Sequence, residues 1–126
     1  MFYEPKKGNP FSIDPYKSLI FPRPIGWIST ISKKGTPNLA PYSYFNAIAD
    51  DPPQVMFSEE APIAYNKYKD SLTNILSTKE FVVNFATLKT CKKMALSSID
   101  APSDVDEFKF TKLKKRKSKK VIAPSV

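Results

Sequence analysis

Small hydroxyl and amide side chains alternate with flat aromatic rings in the first half of the sequence. The mixture is densest from Tyr42 to Asn46, where the letters read YSYFN, and it recurs around Trp27 in GWIST. Aromatic faces suit a planar ring, whereas hydroxyl and amide groups suit a polar tail attached to that ring. The pattern is therefore compatible with a site for a ligand that has both parts. An ordinary sheet with outward polar positions explains it equally simply.

A second candidate site lies where the letters KDS, Lys69 to Ser71, open a short helix with an apolar i, i+3, i+4 face. Asp70 or Ser71 is the expected cap of this helix. The free N–H groups and partial positive charge of a helix start, together with Lys69, suit an anion such as a phosphate. Simple capping, which every helix needs, is the alternative.

The sequence contains no histidine and one cysteine, Cys91. This excludes histidine-dependent catalytic triads, the usual zinc sites and an internal disulfide. We therefore predict no catalytic acid or base and no metal ligand, so that a bound cofactor must supply any redox chemistry. Cys91 is predicted to be a half-buried small hydrophobe. Arg23 lies between two prolines, and its guanidinium either meets a phosphate or lies on the surface.

The elements that would position these groups are short strands. Ile25 to Ser32 is rich in β-branched residues and predicts a strand, Lys33 to Gly35 a turn, and Leu39 to Ile48 a returning strand. Pro41 implies a bulge or a sheet edge in that strand, and Val55 to Phe57 predicts a third strand. Tight connections between short strands indicate an antiparallel barrel or sandwich. Alternation would place Tyr42, Tyr44 and Asn46 on one face of the returning strand, with Ser43 and Phe45 on the other.

The rest of the chain completes one domain of 126 residues. Trp27 is expected either in the core or against a ligand. No apolar run is long enough to span a membrane and no signal peptide is evident, so a cytoplasmic location is expected. The remaining predicted elements are an extended arm over 1–14, the start of a strand at 15–21, a loop at 59–68, a strand at 81–86, a helix at 88–96 and a loop at 100–106.

Positive charge is concentrated near the C-terminus. Seven of the 20 basic residues lie between Lys112 and Lys120, and all 12 acidic residues precede them. Residues 1–111 thus carry 13 basic and 12 acidic groups and are almost neutral. The basic stretch is either a solvated end or a patch for nucleic acid or acidic lipid, although binding sites for nucleic acid usually spread basic residues over a folded face.

Four segments together resemble the flavin reductase-like family, the FMN-binding split-barrel group that includes the flavoredoxins. They are RPIGWIST from Arg23, NLAPYSYFNAIADDPPQVMFS from Asn38, KDSLTNI from Lys69 and EFVVNFA from Glu80. The resemblance implies a mainly β fold with short helices, an FMN-binding split β-barrel. It also implies a homodimer, with FMN near its interface, that transfers hydride or electrons between NAD(P)H and flavin and passes them to a flavin or protein acceptor.

The resemblance also implies a set of FMN-binding residues. The phosphate and ribityl chain would lie against Lys69, Asp70, Ser71 and Asn74, the last motif having serine where the family usually has threonine. Phe108 would reach the ring. The full expected set is Trp27, Ile28, Ser29, Thr30, Tyr42, Ser43, Tyr44, Phe45, Asn46, Ser58, Lys69, Asp70, Ser71 and Asn74.

The match extends to about Leu113, which predicts a flavin domain over 1–113 and a basic tail over 114–126. Further strands that complete the barrel in the family are not recognised after this point, so the barrel is expected to be incomplete. Two other functions stay open. One is an electron carrier that does not use nicotinamide, and the other is an inactive truncated remnant whose tail binds polyanions, nucleic acid being an unlikely partner.

Overall fold

The computed structural model describes residues 2–59 and 68–126, so most of the predicted loop at 59–68 lies outside the described residues. The described chain contains five short strands and four short α-helices. Their bounds, after a 3₁₀ turn at Pro5–Lys7, are α1 Pro15–Leu19, β1 Gly26–Ile31, β2 Pro37–Tyr42, β3 Phe45–Asp50, β4 Pro53–Phe57, α2 Asp70–Thr78, β5 Val82–Asn84, α3 Cys91–Leu96 and α4 Glu107–Phe110.

Strand β1 is the centre of a three-stranded antiparallel sheet with the order β2-β1-β5. The β1–β2 hairpin pairs Thr30 with Asn38 and closes through the predicted turn, in which Gly35 adopts a φ of +86°. Pro41 lies on β2, an edge strand, where a missing N–H costs no ladder bond. Strands β3 and β4 form a separate two-stranded sheet, and the two sheets do not close into a barrel within the described ranges.

The prediction of one returning strand from Leu39 to Ile48 is wrong. The chain bends at Ser43 and Tyr44, so β2 and β3 belong to different sheets. The Ser58 N–H donates to the Tyr44 carbonyl at 3.0 Å and fixes the bend. The expected alternation from Tyr42 to Asn46 therefore does not hold, because it requires one continuous pleat.

Two predictions for helical segments also fail. The segment that begins at Pro15 is helix α1 rather than a strand, because Asp14 accepts a hydrogen bond from the Tyr16 N–H at 3.0 Å and proline suits the first helical position. Helix α3 begins only at Cys91, since a turn held by Thr87 and Thr90 precedes it. Cys91 is exposed, not half-buried.

The core lies between β1, β2 and α4. Trp27, Leu39 and Phe108 are fully buried there, with Leu113 and Val126 packed against them. Trp27 thus lies in the core, and its indole N–H donates to the Ser97 hydroxyl at 3.0 Å. Phe108 is a core residue and offers no free surface to a ligand ring, contrary to expectation.

Residues 114–126 fold back onto the sheet. Arg116 and Ser125 exchange backbone hydrogen bonds of 2.8 and 2.9 Å, and the Glu80 carboxylate accepts the N–H groups of Ile122 and Ala123. Ala123 is fully buried. The lysine side chains are exposed, but the backbone that carries them is anchored. The domain boundary at residue 113 stays a prediction.

No helix in the described part of the chain is long and apolar enough to cross a membrane.

Candidate functional site

Within the part of the chain that the structure describes, the N-terminus of helix α2 has no side-chain cap. The helix begins at Asp70, and the side chain of its N-cap residue, Lys69, forms no capping hydrogen bond. The prediction that Asp70 or Ser71 caps the helix is therefore wrong. Because the first N–H groups of a helix have no partner inside it, an uncapped start leaves donors for a ligand.

A buried polar network joins this helix to the sheet. The Asn38 amide donates to the Ser71 hydroxyl at 2.7 Å and to the Thr30 hydroxyl at 3.4 Å, and the Asn74 amide donates to Thr30 at 3.0 Å. All four residues are buried. Helix α2 thus turns a polar face to the sheet, whereas its predicted apolar face includes the half-exposed Leu76. The Ser71 oxygen accepts a bond here, so its hydrogen stays available to a ligand.

Tyr42 presents a buried hydroxyl to the same region. Tyr42 is 5% exposed, and its phenol O–H has no hydrogen-bond partner among the described residues. Burial raises the pKa of Tyr42 to about 12, and the nearby Ser71 hydroxyl, which lies outside bonding geometry, opposes this only in part. The Tyr42 ring packs 4.8 Å from that of Phe57, with the Lys69 ammonium 5.9 Å from its centre.

Two adjoining clefts meet at these groups and share Pro41, Tyr42 and Lys69. The first cleft, of about 240 Å³, lies between β2, the start of α2, the segment 97–101 and α4. The second cleft, of about 210 Å³, lies at the bend after β2. Side chains from the sequence-predicted set that line one or both clefts are Tyr42, Ser43, Tyr44, Ser58, Lys69, Asp70 and Ser71.

The remaining predicted residues lie elsewhere. Thr30 and Asn74 are buried and line neither of these two clefts. Thr30 accepts hydrogen bonds from Asn38 and Asn74, and Asn74 lines a separate cleft together with Asp70. Trp27 and Ile28 are fully buried, and the hydroxyl of Ser29 donates to the Pro124 carbonyl. A further apolar cleft contains Phe45, and Asn46 is exposed on β3. A direct ligand contact for these seven residues stays a prediction.

Arg23 lies against Tyr44, a residue that lines the second cleft. The guanidinium carbon of Arg23 lies 5.1 Å from the centre of the Tyr44 ring. The centre of the Tyr16 ring, on α1, lies 6.2 Å from the centre of the same Tyr44 ring. An arginine stacked on an aromatic face keeps its in-plane N–H groups free to bond an anion. The predicted phosphate contact of Arg23 stays a prediction.

Sequence reasoning missed Asn38 and two acidic residues that line the clefts. Asn38 follows from the hairpin register, since a turn centred on Lys34 sets it opposite Thr30. Glu59 accepts the Lys69 N–H at 3.2 Å, and Glu107, 6% exposed, accepts the Leu39 N–H at 3.0 Å. Glu107 thereby satisfies a donor on the outer edge of β2. No local sequence signal points to either carboxylate.

Burial raises the pKa of Glu107, and this makes the stability of the fold depend on pH. When the pKa of a carboxyl is higher in the folded state, the group does not destabilise the fold below its unfolded-state pKa of about 4.3. Stability is then lost as pH rises through the folded-state pKa. Glu107→Gln keeps an acceptor for Leu39 and stays neutral. We expect its urea midpoint, relative to that of the unmodified chain, to rise as pH increases from about 4.3 and to level off once the Glu107 carboxyl of the folded chain is ionised. An offset that does not change with pH would contradict this account.

Comparison with known proteins gives the following matches. A family model described as "Flavin reductase like domain" matches residues 18–126. An uncharacterized protein of Aquifex aeolicus is 44% identical over 108 residues, which cover 86% of this chain and 55% of that protein. Nitrilotriacetate monooxygenase component B from Bacillus cereus superposes with a TM-score of 0.79 at 29% identity, covering 93% of this chain and 62% of that one.

A protein with a split barrel domain from Shewanella frigidimarina superposes with a TM-score of 0.71 at 20% identity, covering 81% of this chain and 48% of that one. This last likeness concerns the fold alone. The expected fold, a mainly β split barrel with short helices that is incomplete, is confirmed. The chain spans about half the length of the curated relatives it matches.

Proposed function

This chain belongs to the flavin reductase-like domain family, a family of flavin-related oxidoreductases, and on that premise we propose that it binds FMN and transfers hydride or electrons between NAD(P)H and that flavin. The observation that carries the proposal is a set of donors at the two clefts that have no hydrogen-bond acceptor among residues 2–59 and 68–126. They are the first N–H groups of α2, the Lys69 ammonium and the buried Tyr42 O–H.

The donors suit the FMN phosphate. A dianion at a helix start gains from N–H groups and from the partial positive charge there, and Lys69 adds a full charge. Ser71 has a hydroxyl hydrogen to donate, because its oxygen already accepts from Asn38. The buried Tyr42 hydroxyl would find in a phosphate oxygen the acceptor that the described residues do not provide. These residues therefore fit the group.

The second cleft suits the rest of the cofactor. Ser43, Tyr44 and Ser58 combine an aromatic face with hydroxyl groups, as a ring and ribityl chain require. Asp70 provides a carboxylate for the hydroxyl groups of the chain, since it would repel the phosphate itself. When bound, FMN supplies the hydride chemistry, and the protein positions and shields it. The expected set, including the seven residues outside these two clefts, belongs to this proposal.

Tyr42→Phe separates this proposal from a purely structural role. Without FMN, loss of a buried unsatisfied hydroxyl should leave stability unchanged or raise it by up to about 1 kcal/mol. With FMN, loss of a phosphate donor should weaken binding about tenfold. Urea unfolding and fluorescence titration measure the two effects. Destabilised apoprotein with unaltered FMN affinity would show that the hydroxyl is structural.

The direct experiment is gel filtration of the chain with FMN, recorded as visible absorbance and mass. Flavin that co-elutes with protein, and that bleaches when NADH or NADPH is added, is the expected result. Flavin that binds but does not bleach would replace the reductase proposal with an electron carrier. Protein that elutes colourless would contradict FMN binding by this chain.

The mass from the same run tests the proposed homodimer. Strands β3 and β4 expose Ile48, Val55 and Met56, at 57%, 41% and 52% of their surface. Exposed apolar side chains on a two-stranded sheet are typical of a surface that a second copy covers. We propose a dimer in which the β3–β4 sheet is buried, in a cytoplasmic protein where NAD(P)H is available. A monomer mass with bound flavin would remove the dimer and leave the flavin site.

A further inference from the structure

The exposed basic segment, residues 112–120, is a feature of the molecule that the proposed flavin site does not use. It carries seven basic side chains, whereas the preceding 111 residues are almost neutral. Among the described residues, Lys115 is the one side chain of this segment with an ion-pair partner, Asp106 at 2.7 Å. The segment therefore presents a strong positive field that its surroundings do not cancel.

The fold holds this segment in place. Leu113 packs against the core at its start, and the backbone pairing of Arg116 with Ser125 closes it. The Ser118 hydroxyl donates to the Ala123 carbonyl at 2.6 Å within the resulting loop. Lysines on an anchored loop lose less entropy when a partner binds than lysines on a free tail, which favours a specific contact.

The basic segment adjoins the elements that wall the first cleft. The Lys93 ammonium of α3 donates to the Lys112 carbonyl at 2.8 Å, so the lysines of α3 extend the same surface. Helix α3 runs directly into the cleft-lining residues 97–101, and Glu107 at the start of α4 lines the cleft as well. A partner on the basic surface would thus lie beside the first cleft, at the phosphate end of the proposed flavin site.

The chemistry of the surface favours a protein partner over a membrane or a nucleic acid. The segment is irregular and offers no amphipathic helix for insertion between lipids. It contains no aromatic side chain on which a base would stack. A protein surface rich in carboxylates needs neither feature, since charge complementarity alone speeds its association and orients it.

We infer that the basic segment is the docking surface for an acidic protein that takes electrons from the bound flavin. The inference rests on the proposed function. In such a transfer to a one-electron haem protein, two ferric haems become ferrous while one reduced flavin is oxidised and two protons are released.

Native and fully succinylated cytochrome c are the probes, since they share a haem but are basic and acidic respectively. Binding is measured by co-sedimentation at haem wavelengths, without flavin, in about 20 mM and about 300 mM salt. The succinylated protein should bind at least tenfold more tightly at low salt than at high salt, and the native protein should not bind. Reduction of the succinylated protein with FMN and NADPH should show the same salt dependence.

Two fourfold variants with equal charge loss locate the surface. Replacing Lys114, Lys117, Lys119 and Lys120 by glutamine should abolish binding of succinylated cytochrome c. The matched control replaces Lys6, Lys7, Lys33 and Lys34, which are exposed elsewhere, and should bind within about twofold of the unmodified chain.

Three results would overturn the inference. They are equal losses in both variants, no binding of the acidic protein at low salt, and tighter segment-dependent binding of duplex DNA or phosphatidylserine vesicles than of the acidic protein. Failure of the proposed function can be distinguished from these results. In that case NAD(P)H does not bleach the flavin, while succinylated cytochrome c still binds to the basic segment.

Discussion

Replacing Lys69 and Ser71 together by alanine should weaken FMN binding about 100-fold. The change removes an ammonium and a hydroxyl from the start of α2, both on the cleft that Tyr42 lines. A hydrogen bond to a charged group contributes about 1.5–3 kcal/mol and a second polar contact about 1 kcal/mol, and every 1.4 kcal/mol is tenfold in affinity. Fluorescence titration with FMN measures the loss.

Riboflavin is the internal control for this prediction, because it lacks the phosphate. Its affinity should be the same in the variant and in the unmodified chain. A control variant replaces Lys92 and Ser12 by alanine. Both residues are exposed and line neither cleft, so this variant should bind FMN as tightly as the unmodified chain does. Equal losses for FMN and riboflavin would place the two residues at another part of the cofactor or assign them a structural role.

The single variant Lys69→Ala distinguishes a lost phosphate contact from a perturbed fold. Ser71 accepts a buried hydrogen bond from Asn38, so its loss also perturbs the fold, whereas the Lys69 side chain has no such bond among the described residues. About two-thirds of the loss in binding free energy should appear in Lys69→Ala alone, since the ion contact is the stronger of the two.

The parts of the fold that local sequence determines were predictable. The β-branched run of β1, the turn at Gly35 and the edge position of Pro41 each follow from the conformational preferences of a few neighbouring residues. The start of α2 near Lys69 was predictable for the same reason, within one residue.

The parts that depend on distant contacts were not predictable. The bend at Ser43 and Tyr44 divides a run that has strand propensity throughout, and a bond from Ser58 fixes it. Glu107 satisfies an N–H group 68 residues away, and Glu80 anchors Ile122 from 42 residues away. No window of neighbouring residues contains both partners of such a contact, so propensity and periodicity do not reveal it.

The composition of the candidate site divides in the same way. The aromatic and hydroxyl residues that line the clefts were predicted as a set from their types and from family resemblance. Sequence alone did not distinguish the residues that line a cleft from those that support it. Thr30 and Ser71 are both small hydroxyl residues in family motifs, yet Ser71 lines the first cleft and Thr30 lines neither cleft. Burial separates the two roles, and it is a property of the assembled fold.

Thr30→Val should be the most destabilising conservative change at the site, at about 2–3 kcal/mol. Valine keeps the shape of threonine but removes the oxygen that accepts from Asn74 at 3.0 Å and from Asn38 at 3.4 Å. Asn74 is 6% exposed, so its amide would lose its acceptor with little access to water, which costs about 1–3 kcal/mol. Asn38 keeps its bond to Ser71 and adds a smaller loss.

Thr30→Ser distinguishes the lost hydrogen bonds from altered packing. Serine keeps the acceptor and loses one buried methyl group, so it should cost only about 1 kcal/mol by urea unfolding. Thr30 has no exposed surface, so any loss of FMN affinity in Thr30→Val should follow from displacement of Asn38 and Ser71. The affinity for riboflavin, which lacks the phosphate, should not change. If valine is as stable as serine at this position, the network does not hold α2 to the sheet. If instead FMN affinity falls while stability is unchanged, Thr30 contacts the cofactor directly, as the family resemblance implies.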